Sequence, residues 1–344
     1  MKKIIFIGAI GLGSPATNGE TFKNQLLVEA LNKHIDGIKI IDTDNWRHRP
    51  WVLLNLLLAL LFNPNAYFII SACNGSVQQT LSIIKTLRLH RHLYYWVIGG
   101  SIAQQIKSGE RPLEPFKQVE LFLVEGDSMR ETFKEVGLTN TITVPNFKPV
   151  KYIPIKSKRT SNFTKFVFLS RILPAKGCDL IIDAVKRLQS QGINDFSVTF
   201  FGPIDSAYKP FFESKIENLT NVEYTGFLDL KKNVGYDTLS KFDVMLFPTY
   251  WDGEGFPGII IDAYIASMPI IASDWNMNKD VIDNGKSGWL IPVNDSSTLA
   301  DKMLFAINNV ASISEMSDYC KHKALSYDIG YVITKKLLKD INLL

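Results

Sequence analysis

The chain has 344 residues, of which 46% are hydrophobic and 21% charged, and a formal net charge of +4. This length suits two domains better than one, and the ordinary composition excludes a disordered chain. The first 150 residues hold 16 basic and 12 acidic side chains, whereas the other 194 hold 22 of each. This small excess excludes a nucleic-acid-binding protein, but it suits a domain that meets an anionic surface or substrate.

In chain order, short apolar runs alternate with helical patterns, which predicts parallel sheets built from βαβ units. The N-terminal apolar run stops at Gly8 and is too short for a signal peptide, so it is predicted to form the first strand. Strands of the first half are predicted at Ile4–Ile7, Ile38–Ile41, Tyr67–Ser71, Tyr94–Ile98, Leu121–Val124 and Thr141–Val144. Helices are predicted over Glu20–Lys33 and Asp127–Val136.

The pattern breaks between Pro145 and Asn162, where prolines and a polar run predict an interdomain linker. A second series of strands is predicted at Phe166–Leu169, Ser197–Phe201, Val222–Tyr224, Val244–Phe247, Ile270–Ala272 and Gly288–Ile291. Helices between them include Asp179–Gln189 and Gly258–Ser267. The predicted fold class is α/β, with two doubly wound parallel sheets in domains 1–150 and 163–325 and a C-terminal helix over 326–344. Ligands of such sheets bind beyond the carboxyl ends of the strands, so we expect the site in an interdomain cleft.

Two segments of the second half carry residues suited to chemistry. Arg171 and Lys176 follow the predicted strand Phe166–Leu169, and a bidentate fork beside a point charge suits a diphosphate. Glu254 lies in a Gly-rich loop before a helix that opens near Pro257, and such a helix start is an anion site. The alternatives are ordinary surface cations and a strand–loop–helix unit with solvated carboxylates.

Together these segments resemble the retaining glycosyltransferases of family 4, which have the two-domain GT-B fold. The Glu-x7-Glu element of that family is matched by Glu254 and Asp262, and its Arg…Lys-Gly element is matched by Arg171, Lys176 and Gly177. Further matches are Val144–Asn146, Thr225–Phe227, Pro269–Asp274 and Asn284–Pro292. The ordered set extends from about residue 120 to residue 295.

The resemblance implies two facing Rossmann-like domains, the first on the acceptor side and the second binding the nucleotide sugar. Arg171 and Lys176 would bind the donor diphosphate and stabilise it as it leaves, and Glu254 would hold the donor sugar. Asp262 stands where the family usually has Glu, and its shorter carboxylate would hold the ribose. The other donor-binding residues implied are Gly226, Phe227, Gly255, Phe256, Pro257 and Gly258, with Gly13, Gly19, Asn74 and Gly100 in the first domain.

The first half resembles the family less. Its glycine run Gly8–Gly13 lacks the G-x-G-x-x-G spacing, and Asp42 comes later than the ~20 residues expected for a nicotinamide site. No histidine occupies the loops where many family members carry one, so we assign no general base. Asp42-Thr43-Asp44 has a metal-binding D-x-D form, but enzymes of the GT-B fold generally need no bound metal. We therefore expect no cofactor and no metal.

Residues 46–62 and 85–92 combine aromatic, basic and apolar side chains. This combination suits an anionic membrane surface, and the alternative is a buried helix with a solvated rim. The longest apolar run, Val52–Phe62, is too short for the ~20 residues that span a bilayer. Three scattered cysteines without a CxxC pair indicate a reducing compartment. We expect a cytoplasmic protein, and these two segments raise the separate hypothesis of peripheral attachment at the inner face of the membrane.

The implied function is transfer of a sugar from a nucleoside diphosphate, with UDP favoured, to a hydroxyl of a glycan or lipid-linked acceptor. The resemblance suggests retention of configuration and a role in surface polysaccharide synthesis. One alternative is a sugar-nucleotide epimerase of the same fold, which is not expected to carry the Glu254–Asp262 element. Another is a non-catalytic nucleotide-sugar-binding protein, which would bind the donor without transferring the sugar.

Overall fold

The computed structural model describes residues 2–14, 19–72, 74–156 and 163–344. The chain divides into two compact units. The first unit comprises Met1–Lys148 and Ile329–Leu344, and the second comprises Pro149–Asp328. Each unit holds a six-stranded sheet within the described ranges, and every strand pair in both sheets is parallel.

The first sheet is built from near-continuous apolar strands, as expected for parallel strands covered on both faces. The strands are β1 (Ile4–Gly8), β2 (Lys39–Asp42), β3 (Tyr67–Ala72), β4 (His92–Val97), β5 (Leu121–Val124) and β6 (Thr141–Thr143). The helices are α1 (Gly19–Asn32), α2 (Trp51–Phe62), α3 (Asn74–Thr86), α4 (Ile102–Lys107) and α5 (Asp127–Glu135). The strand order is β2-β1-β3-β4-β5-β6, so the chain reverses its direction of winding between β1 and β3.

The second sheet has the strand order β12-β11-β10-β7-β8-β9. Its strands are β7 (Thr164–Leu169), β8 (Phe196–Phe201), β9 (Val222–Gly226), β10 (Val244–Phe247), β11 (Ile270–Ser273) and β12 (Gly288–Ile291). Its helices are α6 (Cys178–Ser190), α7 (Lys209–Ile216), α8 (Asn233–Leu239), α9 (Gly258–Ile265), α10 (Asn278–Val281), α11 (Ser296–Asn308) and α12 (Val310–Leu325). The order is that of a dinucleotide-binding Rossmann sheet, whose switch point lies between β7 and β10.

The predicted fold class of two doubly wound α/β sheets is confirmed, and all twelve predicted strands are present with shifts of at most two residues at their ends. The helix predicted to reach Ser267 ends at Ile265, and Ser267 has a left-handed φ of 55°. His92, the last residue of the segment 85–92, begins β4, stacks on Tyr67 and lies 2.9 Å from a Glu120 oxygen. Of the predicted linker, residues 157–162 lie outside the described ranges.

The last sixteen residues pack into the core of the first unit. They form two short helices, α13 (Ile329–Val332) and α14 (Lys335–Asp340), where one helix was expected. The break occurs because Thr334 is extended and caps α14, its hydroxyl accepting a 3.1 Å hydrogen bond from the amide of Leu337. No helix in the described ranges is both long and apolar enough to cross a bilayer.

We expect Leu338→Ala to lower the free energy of unfolding by about 2–5 kcal/mol, because Leu338 is fully buried and its truncation leaves a cavity. Leu344 of the same segment is 40% exposed, so Leu344→Ala is the matched control, with an expected change within about 0.5 kcal/mol. Urea unfolding of both variants measures the difference. Equal, small losses would contradict the packing of this segment.

Candidate functional site

The loops that follow β7 and β10 meet at the switch point of the second sheet. The amide of Tyr250 donates a 2.8 Å hydrogen bond to the carbonyl of Ala175, and the Thr249 hydroxyl lies 3.4 Å from the same oxygen. These bonds join the two loops directly, so the residues that they carry are positioned together. The site predicted from two distant sequence segments is therefore a single locus within the second unit.

Gly177 allows the first loop to approach the second. It has a left-handed φ of 82°, between a 3-10 turn over Pro174–Lys176 and the start of α6. A Cβ atom at this position would overlap the carbonyl group of Pro248, which directly follows β10. Only glycine satisfies both the backbone conformation and this close contact.

Lys176 and Glu254 form a buried ion pair. The side chain of Lys176 is 7% exposed and that of Glu254 is 13% exposed. The hydroxyl of Thr249 donates to the same Glu254 oxygen over 3.2 Å. The alternative of a solvated carboxylate at Glu254 is therefore wrong, since this carboxylate orients the ammonium of Lys176 from inside the loop.

The indole of Trp251 lies against both cations. The guanidinium carbon of Arg171 is 5.3 Å from the Trp251 ring centre, and the Lys176 ammonium is 5.9 Å from it. Lys176 is also 5.9 Å from the ring of Phe247, at the end of β10. Arg171 is exposed. The locus thus combines two cations with one carboxylate and has one net positive charge. Both cations lie against the indole of Trp251.

A second layer of residues fixes the loop that carries Glu254. The indole nitrogen of Trp275 donates to the carbonyl of Trp251 over 2.9 Å, and the amide of Asn276 donates to the carbonyl of Glu254 over 3.0 Å. The Ser273 hydroxyl bonds the carbonyl of Thr249. All three donors follow or end β11, so the neighbouring strand holds the loop in place.

The predicted donor-binding run 255–258 leads into α9. Phe256 is buried and packs edge-on against Tyr327 with ring centres 5.6 Å apart, so its side chain belongs to the core. Pro257 precedes the helix in an extended conformation, and no hydrogen bond from a described side chain caps the helix start. Gly255 and Gly258 are partly exposed beside them.

Asp262 lies in α9 and is almost fully buried. The Tyr236 hydroxyl, from α8, donates a 2.7 Å hydrogen bond to its Oδ1 atom. Burial, and then the nearby charge of Asp262, raise the pKa of Tyr236 well above its usual value, so the phenol keeps its proton at neutral pH. The second carboxylate of the predicted pair is therefore also not solvated.

Gly226 and Phe227 lie at the carboxyl end of β9, which is separated from β7 by β8. The amide of Gly202, after β8, donates to the carbonyl of Gly226 over 2.8 Å. Phe227 is 77% exposed, so its ring presents an open aromatic surface at the same edge of the sheet. These two residues therefore lie two strands away from β7 and do not belong to the cluster around Lys176.

The predicted residues of the first unit all follow strands at the carboxyl edge of its sheet. Gly13 follows β1, Gly19 begins α1, Asn74 begins α3 after β3, and Gly100 follows β4. Asn18, Cys73 and the side chain of Asn74 lie outside the described part of the chain.

Asp42 of the D-x-D segment fastens the glycine loop of the first unit. Its carboxylate accepts hydrogen bonds from the amides of Ile10, Gly11 and Leu12 at 2.9, 3.2 and 3.1 Å. Burial raises the pKa of Asp42, but these bonds and one from Asp44 outweigh it, and the net shift is downward. Within the described ranges, no group of three or more His, Cys, Asp or Glu side chains is arranged to hold a metal ion.

Three residues that contribute to the locus were not predicted from the sequence. Thr249 and Trp251 lie inside the Gly-rich segment. An aromatic residue in a loop expected to meet two cations could have indicated the role of Trp251. The sequence carried no such signal for Tyr236, because its partner Asp262 lies 26 residues further along the chain and in a different helix.

The strand order, the cations at the switch point and the glycine-dependent loop define an α/β protein of the Rossmann type. The family model of the glycosyl transferases group 1 matches residues 134–324, which is 191 of 344 residues. The chain therefore belongs to the glycosyl transferases group 1 family.

Two curated relatives are glycosyltransferases by name. A putative colanic acid biosynthesis glycosyltransferase, WcaL, of Salmonella typhimurium is 26% identical over 145 residues, which are 40% of this chain and 35% of WcaL. A poly(ribitol-phosphate) alpha-N-acetylglucosaminyltransferase of Staphylococcus aureus is 24% identical over 238 residues, 69% of this chain and 46% of that protein. The chain thus spans less than half the length of either relative.

The fold extends beyond the region matched by the family model. The crystal structure of Anabaena Alr3699/HepE in complex with UDP aligns with 99% of this chain and 100% of its own, with a TM-score of 0.74 and 13% identity. At this identity the likeness shows the fold alone, and it confirms the GT-B fold class predicted from the motifs.

We expect a strong energetic coupling between Lys176 and Glu254. Removing either partner leaves a nearly buried charge unpaired, so Lys176→Met and Glu254→Gln should each destabilise the protein by about 3 kcal/mol. The double variant should lose less than the sum by at least about 1 kcal/mol. Urea unfolding of the four proteins measures this coupling.

The exposed pair Lys209–Glu213, at 3.8 Å in the same unit, is the matched control. Its cycle of Lys209→Met and Glu213→Gln should give a coupling below about 0.5 kcal/mol. A coupling for Lys176–Glu254 as small as this would show that the pair is not protected from solvent.

Proposed function

We propose that the protein transfers a sugar from a nucleoside diphosphate to an acceptor hydroxyl, as a glycosyltransferase of the hexosyltransferase type. The observation that carries the proposal is the convergence of Arg171, Lys176 and Glu254 at the switch point of the second sheet. Family membership and the named activities of both curated relatives support it.

In this reaction the bond between the anomeric carbon and the diphosphate breaks, and negative charge develops on the departing diphosphate. Arg171 and Lys176 would stabilise that charge, since preorganised cations cost no reorganisation when the charge forms. Glu254 would hold Lys176 and a donor sugar hydroxyl, and Asp262, with Tyr236 bonded to it, would hold the ribose. We further propose retention of configuration, as the family resemblance implies.

For the donor we propose a UDP-sugar, in keeping with the UDP complex of HepE. For the acceptor we propose a glycan or a lipid-linked glycan in the synthesis of a surface polysaccharide, in keeping with the printed name of WcaL. Because two fixed cations already face the proposed diphosphate site, we propose that donor binding needs no metal ion.

We expect Arg171→Ala to weaken binding of UDP by roughly tenfold or more while uridine binding changes little, since charge-assisted bonds are worth about 1.5–3 kcal/mol each. Lys176→Ala should act in the same direction, after circular dichroism has shown that the variant is folded. Thermal-shift titrations with UDP and uridine, repeated with EDTA, measure both effects.

The matched control is Lys186→Ala, an exposed cation on α6 away from the loop. It should leave both titrations unchanged. Equal losses for UDP and uridine in Arg171→Ala would place the guanidinium away from the diphosphate, and a UDP response abolished by EDTA would refute metal-free binding.

We also propose peripheral attachment to an anionic membrane through residues 46–62 and 85–92. Helix α2 carries no charged residue, and its outward face is apolar. Its exposed side chains are Asn55 and six large apolar residues, Trp51, Leu53, Leu54, Leu58, Leu61 and Phe62, the last of which is 74% exposed. Contiguous exposed apolar surface marks an interaction site, and this supports the proposal over the alternative of a buried helix with a solvated rim.

Cations lie beside this apolar face. A groove of about 1000 Å³ adjoins the end of α2, and its lining includes Lys85, Arg88, His90 and Arg91. The guanidinium of Arg91 donates a 2.7 Å bond to the carbonyl of Leu60, which ties the groove to α2. An apolar face bordered by cations matches the chemistry of an anionic bilayer surface.

We expect the protein to float with vesicles that contain phosphatidylglycerol, less so at high salt, and Leu54→Glu with Phe62→Glu to abolish flotation. The two introduced carboxylates would have to enter the apolar part of the membrane interface, which costs several kcal/mol. Phe211→Glu is the matched control, because Phe211 is an exposed aromatic of α7 in the second unit. Flotation that the double variant retains would rule out this face.

A further inference from the structure

A cavity of about 250 Å³ lies in the second unit, at the edge of the sheet opposite the candidate site. Asp243 lines it and directly precedes β10, and Ser267 lines it between α9 and β11. The cavity therefore lies at the amino ends of strands whose carboxyl ends carry the candidate site. The proposed function assigns no role to this cavity.

The lining of the cavity has an apolar part and a polar part. The apolar part comes from residues 153–155 and from the first turn of α12, and its members are Ile153, Pro154, Ile155, Val310 and Ile313. Pockets for drug-sized ligands measure about 300–1,000 Å³, so this cavity suits a smaller molecule. An occupant that matches the lining has a short apolar part and a polar end.

The ammonium of Lys156, in the polar part of the lining, has no counter-ion. It donates a 2.9 Å hydrogen bond to the carbonyl of Ser267, and no carboxylate in the described ranges forms an ion pair with it. The Asp243 carboxylate acts on it from a greater distance and accepts a 2.8 Å bond from the amide of Lys165. Burial lowers the pKa of Lys156 to about 8. A buried cation without a partner is costly, and an anion in the cavity would offset that cost.

Two serines of the lining lack hydrogen-bond partners for their side chains. Ser267 and Ser317 are each more than nine-tenths buried, and neither hydroxyl makes a hydrogen bond to any part of the chain that the structure describes. Buried hydroxyls are normally paired, so these two call for an acceptor. The start of α12 lines the same cavity and adds the partial positive charge of a helix N-terminus. These groups together favour a ligand with negative charge.

We propose that this cavity binds a small organic monoanion, a carboxylate with a short aliphatic chain. The carboxylate would accept hydrogen bonds from Lys156 and Ser317, and the chain would lie against the apolar part of the lining. Asp243 and Asp318 line the same cavity and would repel a second negative charge, which disfavours phosphate. The inference does not rest on the proposed function, because none of these residues belongs to the candidate site. The bound ligand would fasten residues 153–156 to α12.

The experiment uses the full chain and three probes. Hexanoate has the charge and the chain, hexanamide has a chain of the same length without the charge, and inorganic phosphate has charge without a chain. Isothermal titration at neutral pH should show hexanoate binding at least about tenfold more tightly than either of the others. Hexanamide binding as tightly as hexanoate would overturn the need for an anion, and phosphate binding more tightly would overturn the carboxylate class.

Lys156→Met should weaken hexanoate at least about tenfold, and Ser317→Ala, a milder change that preserves the helix, should weaken it about threefold. The matched control is Lys186→Met, an exposed cation of the same unit, which should keep the affinity within about twofold. Arg171→Ala should also leave hexanoate binding unchanged. A loss of binding in Arg171→Ala but not in Lys156→Met and Ser317→Ala would place the anion at the candidate site and overturn the cavity.

The pH profile of binding gives a second readout of Lys156. The affinity for hexanoate should fall as the pH rises above about 8, because the neutral amine no longer attracts the anion and carboxylates do not titrate in this range. Asp243 and Cys320 act on Lys156, and Asp318 and Lys321 line the same cavity. Burial raises the pKa of the Cys320 thiol, so it stays protonated over this range. A flat profile in the parent protein, or the same fall in Lys156→Met, would overturn the assignment of Lys156.

Discussion

The buried ion pair of Lys176 and Glu254 is the constraint on which the candidate site depends. Removing two charges from water is costly, and a well-packed apolar pair of similar volume is often as stable. The aromatic rings of Phe247 and Trp251 lower the local polarity further, which strengthens every charge interaction nearby. Such a pair is poorly explained by stability alone. The proposed function offers a reason for the pair, since it needs a cation fixed in position beside Arg171 before an anionic ligand arrives.

The surrounding backbone keeps that cation in place. Gly177 lets the first loop lie against Pro248, and the bond from Tyr250 to Ala175 closes the contact between the loops. From the other side, Asn276 holds the carbonyl of Glu254. Preorganisation therefore comes from three strands, β7, β10 and β11, whose carboxyl ends meet at one edge. A site on a rigid sheet edge is held more precisely than one on a long loop.

Much of this arrangement could be predicted from the sequence, because parallel strands buried on both faces read as apolar runs. The ends of those runs place Arg171, Lys176 and Glu254 at one sheet edge. Packing between distant elements could not be predicted in this way. The bond from Tyr236 to Asp262 depends on how α8 and α9 pack. The exposure of one face of α2 could not be predicted either, since an uncharged apolar helix has the same sequence pattern whether it is buried or open to solvent.

The two units also differ in what they share with relatives. The family model matches residues 134–324, almost all within the second unit, whereas the fold of HepE aligns with 99% of the chain. The first unit thus keeps the fold while its sequence leaves the family pattern. Under the proposed function, the residues around Lys176 would hold the donor, and the contacts to the acceptor would fall in the first unit. The apolar face of α2 and its adjoining groove lie in that unit, and no requirement of the sheet explains them, because the core is already closed by the inward face of the helix.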